Sequence, residues 1–352
     1  MTEMYIPKNK IDDAVQEMMA QHKVFAPVLQ GRFHDFAPLS SPEEVDWECR
    51  NTRLSPKGLF HRHSERMFDY SLSKDDPEAG ILKESPKDFS PRVVLNIRPC
   101  DARALQLVDV NFDTPEYRDP WWVKRREATT LVGLACNDPC STCFCGSVGT
   151  GPFDAAGVDV LLVDAGEGYV ARACTDKGEG LLAEIASGEP VTAEIREKVE
   201  ALKKQAETSM ADLHLNLDLI AEKDMKELFN EEFWEDVHFS CINCGTCTFL
   251  CPTCWCFDIQ DEVYEGKGMR LRNWDSCMYP LFTLHASGHN PRDQKLQRVR
   301  QRFMHKFKYY LDKYETATPA CVGCGRCVQH CPVNIDIREV VRRMAASCVC
   351  PA

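Results

Sequence analysis

The chain has 352 residues, of which 44% are hydrophobic and twenty are cysteine, and its net charge is −12. That length allows two or three domains with packed cores, while the acidic balance argues against general nucleic-acid binding. No run of 18 apolar residues occurs, so no hydrophobic span is expected. The polar start Met1–Lys10 lacks an export signal, which places reduced thiols in the cytoplasm.

Residues 1–189 read as an α/β domain. Ile11–Gln21 carries apolar residues at helical spacing, and residues 93–97, 130–135, 158–163 and 169–173 are short apolar or β-branched runs that predict strands. Turn-rich stretches at 85–91 and 113–120 separate them. Gly166-Glu167-Gly168 resembles the start of a dinucleotide fingerprint, but it lies between two short strands with no helix after it and predicts a hairpin turn. The glycine-rich run 147–152 predicts a plain turn after a cysteine cluster.

Residues 190–237 read as an acidic helical linker. Helical periodicity runs through 191–210, and the acidic residues of 212–236 outnumber its two lysines, as on a solvated spacer or a negative docking face. Residues 238–352 read as an α-helical, ferredoxin-like domain. Within it, 294–314 has no Gly or Pro and places Val299, Phe303, Phe307, Tyr310 and Tyr314 on one helical face. Basic residues from Arg292 to Lys313 fill the other face, either solvated or offsetting the charge of a cofactor. His285, His289 and Asn290 precede this helix and read as loop structure and helix entry rather than ligands.

Eight cysteines form two copies of C-x2-C-x2-C-x3-C-P: Cys241, Cys244, Cys247, Cys251 and Cys321, Cys324, Cys327, Cys331. This is the ligand run of a bacterial-type 4Fe–4S protein, whose fourth cysteine ligates the other cluster. Two 4Fe–4S clusters are therefore expected, one on Cys241, Cys244, Cys247 and Cys331, the other on Cys321, Cys324, Cys327 and Cys251. A zinc ribbon would lack the third cysteine and the proline. Seventy residues separate Cys251 from Cys321, so helices are expected between the motifs.

Other cysteines gather in two groups. Cys254, Cys256 and Cys277 extend the first motif; they are either small buried hydrophobes or three ligands of a site completed by an Asp, a water or a borrowed cysteine. Cys100 follows one predicted strand, and Cys136, Cys140, Cys143 and Cys145 follow the next, where an open α/β sheet carries its ligand loops. A further iron–sulfur cluster is the favoured reading there, with zinc or a redox dithiol as alternatives. Arg98, Arg103, Lys124, Arg125 and Arg126 lie nearby, as an anionic cluster, a protein–protein interface or an oxyanion substrate would each require. Cys348 and Cys350 read as incidental, and Cys49 and Cys174 have no assigned role.

With Cys100-Asp101, the loop from Cys136 to Cys143-Phe-Cys145, Cys251-Pro-Thr-Cys254-Trp-Cys256, Trp274-Asp-Ser-Cys277, Gly288-His-Asn290 and Cys321-Val-Gly-Cys324-Gly-Arg-Cys327 in hand, the chain resembles the β subunits of soluble sulfhydrogenases. That family is related to an iron–sulfur component of anaerobic sulfite reductase. The resemblance spans most of the chain. It implies an electron-carrying subunit between a flavin protein that exchanges hydride with NAD(P) and a separate hydrogenase, heterodisulfide reductase or sulfite reductase module. Cys100, Cys136, Cys143 and Cys145 match the family's four N-terminal cysteines, and Cys140 is additional. A rival reading gives the chain its own catalytic N-terminal cluster.

Overall fold

The computed structural model describes residues 2–210 and 213–346. Its strands in chain order are β1 (Glu3–Pro7), β2 (Lys23–Gln30), β3 (Phe33–Pro38), β4 (Ser64–Ser71), β5 (Lys83–Glu84), β6 (Arg92–Ile97), β7 (Thr129–Leu134), β8 (Val160–Asp164), β9 (Gly168–Ala173), β10 (Phe257–Tyr264) and β11 (Lys267–Trp274). Seven form one sheet in the order β1-β9-β8-β7-β6-β2-β3. Strands β2, β6, β7 and β8 run parallel; β1, β9 and β3 are antiparallel additions at the edges. A parallel sheet covered on both faces needs strands apolar on both sides, and every residue of β6 is buried. Helices Ile11–Gln21 and Asp176–Ala183 pack Val15, Met18 and Leu181 on one face. Helices Pro99–Asp109 and Pro120–Glu127 pack Leu105 and Trp122 on the other. Gly166, at φ 91°, lies in the turn joining antiparallel β8 and β9, so the glycine pair there is a hairpin.

The sheet ends abruptly where the cysteines begin. Strand β6 stops at Ile97 and β7 at Leu134, and Cys100 and Cys136 follow within three residues of each. Asn96 takes a left-handed φ of 58° and the β6–β7 register slips between Leu95 and Ile97. Such a bulge re-aims a strand end, and the Asn96 side chain fixes it by donating to the Asp46 carbonyl at 2.9 Å.

The second half is not the wholly helical unit expected from its sequence. Strands β10 and β11 form a hairpin, and a second sheet of order β10-β11-β4-β5 joins it to strands from the first half. Glu265 and Gly266 both have positive φ (47° and 75°), the two-residue turn that suits strand twist. Glu65 of β4 accepts from Arg272 of β11 at 2.6 Å and also from Arg125, while Arg272 reaches Asp119. All but Asp119 of this ion cluster are buried, so it clamps two distant chain segments together.

The acidic stretch is more than a spacer. Helix Ala193–Ser209 sets Ala206 into the α/β core. Helices Leu217–Glu222, Met225–Phe229 and Phe233–Phe239 place Ile220, Leu228 and Trp234 in one core with Phe303, Phe307 and Val341. The long basic helix runs as Lys295–Met304, a widened π turn at His305–Tyr309, and Tyr310–Tyr314. Among the described residues no helix is long and apolar enough to cross a membrane.

Candidate metal centres

The two ferredoxin motifs fold alike. In the first, Asn243 (φ 54°) precedes Cys244 and Gly245 (φ 75°) follows it; in the second, Gly323 (φ 62°) and Gly325 (φ 73°) flank Cys324. A one-turn helix follows each, Thr246–Phe249 and Arg326–Gln329. Left-handed residues in such a turn aim successive N–H groups into one concavity, a cradle for anionic groups. The Asn243 N–H points at the Cys241 sulfur at 3.4 Å and the Ile335 N–H at the Cys331 sulfur at 3.2 Å.

The fourth cysteines cross over. One small cavity is lined by Cys241, Cys244 and Cys247 together with Cys331. A second is lined by Cys321, Cys324 and Cys327 together with Cys251. Cys327 also lines the first cavity, so the two share a wall. Cys244 is exposed, whereas Cys251, Cys321 and Cys324 are buried.

A third cavity, of about 240 Å³, opens where β6 and β7 end. Cys100, Cys136, Cys140, Cys143 and Cys145 all line it, and so does Cys324 of the second motif. The contact between loops is close: Phe144 N donates to Gly323 O at 2.8 Å, and Cys143 Sγ lies 3.6 Å from Cys324 O. A side chain at Gly323 would place its Cβ 2.5 Å from Cys145 N. Burial pushes the Cys145 thiol up to about 12 and also raises Cys100 and Cys136. A hydrogen bond from Cys143 lowers Cys140 to about 6. Of the basic residues named from sequence, Arg98 lines this cavity, while Arg125 belongs to the Glu65 ion cluster instead.

Cys254, Cys256 and Cys277 come together beside Cys251, the last cysteine of the first motif. Trp255 turns away onto His305 (ring centroids 5.1 Å apart), and Asp275 N donates to Cys256 O at 2.9 Å as the hairpin closes. The Cys256 and Cys277 thiols are hydrogen-bonded, as are those of Cys254 and Cys251. His285 and His289 stack edge-on in a loop, with the His289 N–H near Ser287 Oγ, and line none of these cavities. Cys348 and Cys350 lie outside the described residues.

Four thiolates around a cluster make an anionic group, and the surrounding charges fit one. Arg298, Arg302, Lys306 and Lys308 of the long helix are buried rather than solvated, and Lys308 is paired with Asp312 at 3.0 Å. Arg302 lines the first cavity, and its Nε and Nη2 are buried with no hydrogen-bond partner among the described residues. Lys306 lines the second and, among the described residues, is bonded only to Thr253 Oγ1 at 2.8 Å and Ala320 O at 3.0 Å. Buried cations without carboxylates are costly unless an anion faces them. No three His, Cys, Asp or Glu side chains among the described residues close around a single ion. Sequence reasoning found the basic face but missed Lys57 and the Arg326–Asp101 pair, because nothing local marks a lone lysine after Ser-Pro or predicts a partner 225 residues away.

Comparison with known proteins agrees with this geometry. Residues 240–335 match the family model described as a 4Fe-4S dicluster domain. The chain is 32% identical over 324 residues to sulfhydrogenase 2 subunit beta of Pyrococcus furiosus, covering 91% of each chain. No solved structure matches it.

Proposed function

The chain belongs to the family of sulfhydrogenase β subunits and is an iron–sulfur electron-transfer subunit; from that premise we propose that it is a linear relay with three stations. The observation that carries this reading is the sharing of walls. Cys324 lines both the N-terminal cavity and the second ferredoxin cavity, and Cys327 lines both ferredoxin cavities. The two end stations reach the surface, one through the open cavity and one at exposed Cys244, while the middle one is buried. That is the arrangement of a conductor between two docking partners.

In this reading Cys241, Cys244, Cys247 and Cys331 hold one 4Fe–4S cluster and Cys321, Cys324, Cys327 and Cys251 hold another. Cys100, Cys136, Cys143 and Cys145 hold a third iron–sulfur cluster. Such clusters supply reversible one-electron transfer when bound. The chain's own residues space them, exclude water from the middle one and offset charge through Arg302, Lys306 and Arg98. One end faces a flavin subunit that exchanges hydride with NAD(P), the other a hydrogenase or heterodisulfide reductase module. The reconstituted chain alone should not oxidise NADH or NADPH and should do so with its flavoprotein partner. Cys324→Ala, which breaks the middle station, should stop electrons reaching the far partner while leaving flavin reduction intact. Stoichiometric flavin on the single chain with NAD(P)H turnover, or through-transfer in that variant, would overturn the relay.

A second reading rests on the size of the N-terminal cavity and on Arg50 and Arg98 in its wall. Both cations could hold a small sulfur or nitrogen oxyanion at that cluster. Reduction of sulfite or nitrite by the chain with an added chemical one-electron donor such as reduced methyl viologen, lost in Arg98→Met, would select this reading.

A further inference from the structure

Each of the three stations has a buried cation with no carboxylate. Arg302 serves the first cavity and Lys306 the second. Arg98 serves the third, bonded to the carbonyls of Leu134, Ala135 and Cys49. A fourth cation of this kind has no station. Lys57 is 4% exposed and enters from the turn Pro56–Leu59 of the first half. Its ammonium donates to Cys251 O at 2.8 Å, Cys254 O at 2.9 Å and Thr248 O at 3.3 Å, and sits 4.3 Å from the Trp274 ring centroid. No carboxylate contacts it among the described residues. Neutral carbonyls satisfy its protons but leave its charge uncompensated, and a desolvated ammonium without an anion is strongly disfavoured.

The acidic groups nearest Lys57 are thiols: Cys254 foremost, then Cys251 and Cys256. Cys251 belongs to the middle station, which already has Lys306. The remaining thiol in this patch is Cys277, in contact with Cys256 and within the field of Cys254. Cys254 and Cys256 flank Trp255, whose ring packs on His305. The β10–β11 hairpin then returns Cys277 to the same place. If these three were neutral packing groups, Lys57 would have only Cys251 of the middle station to face.

We propose that Cys254, Cys256 and Cys277 are the thiolate ligands of a further iron–sulfur cluster, with Lys57 as its counter-charge. The inference rests on the relay reading and adds to it. The Cys254 thiol contacts the Cys251 thiol, so this cluster branches from the middle station and makes it a three-way junction.

The test uses the full chain, reconstituted anaerobically with iron and sulfide, and reads iron content and redox-titrated EPR. The triple variant Cys254→Ser, Cys256→Ser, Cys277→Ser should carry about four fewer irons per chain and lose one EPR component. The components of the eight ferredoxin cysteines should remain. Lys57→Met should keep the iron and move that one component to a more negative midpoint, because a removed cation disfavours the reduced state; Lys57→Arg should restore it. Unchanged iron in the triple variant, or loss of a ferredoxin component in place of a separate one, would overturn the proposal. Should the triple variant not fold, an unmoved midpoint in Lys57→Met overturns it equally. Wild-type chain lacking the ferredoxin components would instead sink the relay itself.

Discussion

At the scale of single residues, charge and burial are traded most sharply around His61. Its ring sits among those of Phe112, Phe257 and Trp274, and neither ring nitrogen has a hydrogen-bond partner among the described residues. Burial, with Arg272 and Lys57 nearby, holds its pKa down at about 2. The unfolded chain protonates this imidazole below about pH 6.5, whereas the folded chain does not. Its effect on stability is therefore nil above that pH and grows as an acid-side loss of about 1.4 kcal/mol per pH unit. Between pH 7 and pH 5, urea unfolding of wild type should lose about 2 kcal/mol relative to His61→Phe at equal iron loading. A pH-independent difference between the two would mean that the imidazole protonates in place. Arg326 is the opposite case: almost fully buried, it is matched by Asp101 at 2.6 and 2.7 Å and by the Thr52 carbonyl at 2.9 Å. That pair ties the second ferredoxin loop to the helix that begins at Pro99.

At the scale of elements, the doubled loop is the unit that repeats. Each copy pairs two left-handed residues with a short helix, and each sends its fourth cysteine to the other's cavity. Cys331→Ala should then remove the cluster whose other ligands are Cys241, Cys244 and Cys247, and spare the one on Cys321, Cys324 and Cys327. EPR of the reduced variant with matched iron counts reads this directly. Loss of the Cys321 cluster alone would mean that each motif keeps its own fourth ligand. The long basic helix works on the same principle of reach, because its π turn carries Lys306 into the wall of the second cavity. A single widened turn of this kind often marks a functional position in a helix.

At the scale of the whole molecule, the halves are interlocked rather than strung together. Strand β4 finds its main partner in β11, with Glu65 held by Arg272, and Asp101 is held by Arg326. A fragment ending at Glu189 keeps the large sheet but removes β11, Arg272 and Arg326. It leaves two buried carboxylates short of partners, each break costing about 3–5 kcal/mol, against a total stability of about 5–15 kcal/mol. Such a fragment should show no cooperative thermal transition by near-UV circular dichroism. A sharp transition would mean that the α/β half folds by itself and that the shared sheet is a docking contact. Interlocking suits a relay, because the spacing of stations whose ligands lie far apart in sequence is then fixed by one body.

The sequence by itself determined that the chain carries a 4Fe-4S dicluster domain, since C-x2-C-x2-C-x3-C-P is a local constraint and local spacing survives folding. It also determined β6, β7 and β8 of the parallel sheet, where burial on both faces demands continuous apolar runs, and the helix Ile11–Gln21, but it missed the fourth parallel strand, β2. What it did not reveal depended on contacts between distant residues. The β10–β11 hairpin has only the Glu265-Gly266 turn as a local signal, and its partner β4 lies some 200 residues upstream. By composition the basic helix face reads equally as solvated or as offsetting a cofactor's charge, because nothing in Arg302 or Lys306 says that thiols will cover them. Lys57 is silent in the chain and becomes informative only when burial strips its water away. Only the tertiary structure decided which cations have lost their solvent and which thiols stand opposite them, because desolvation is a property of the packed molecule.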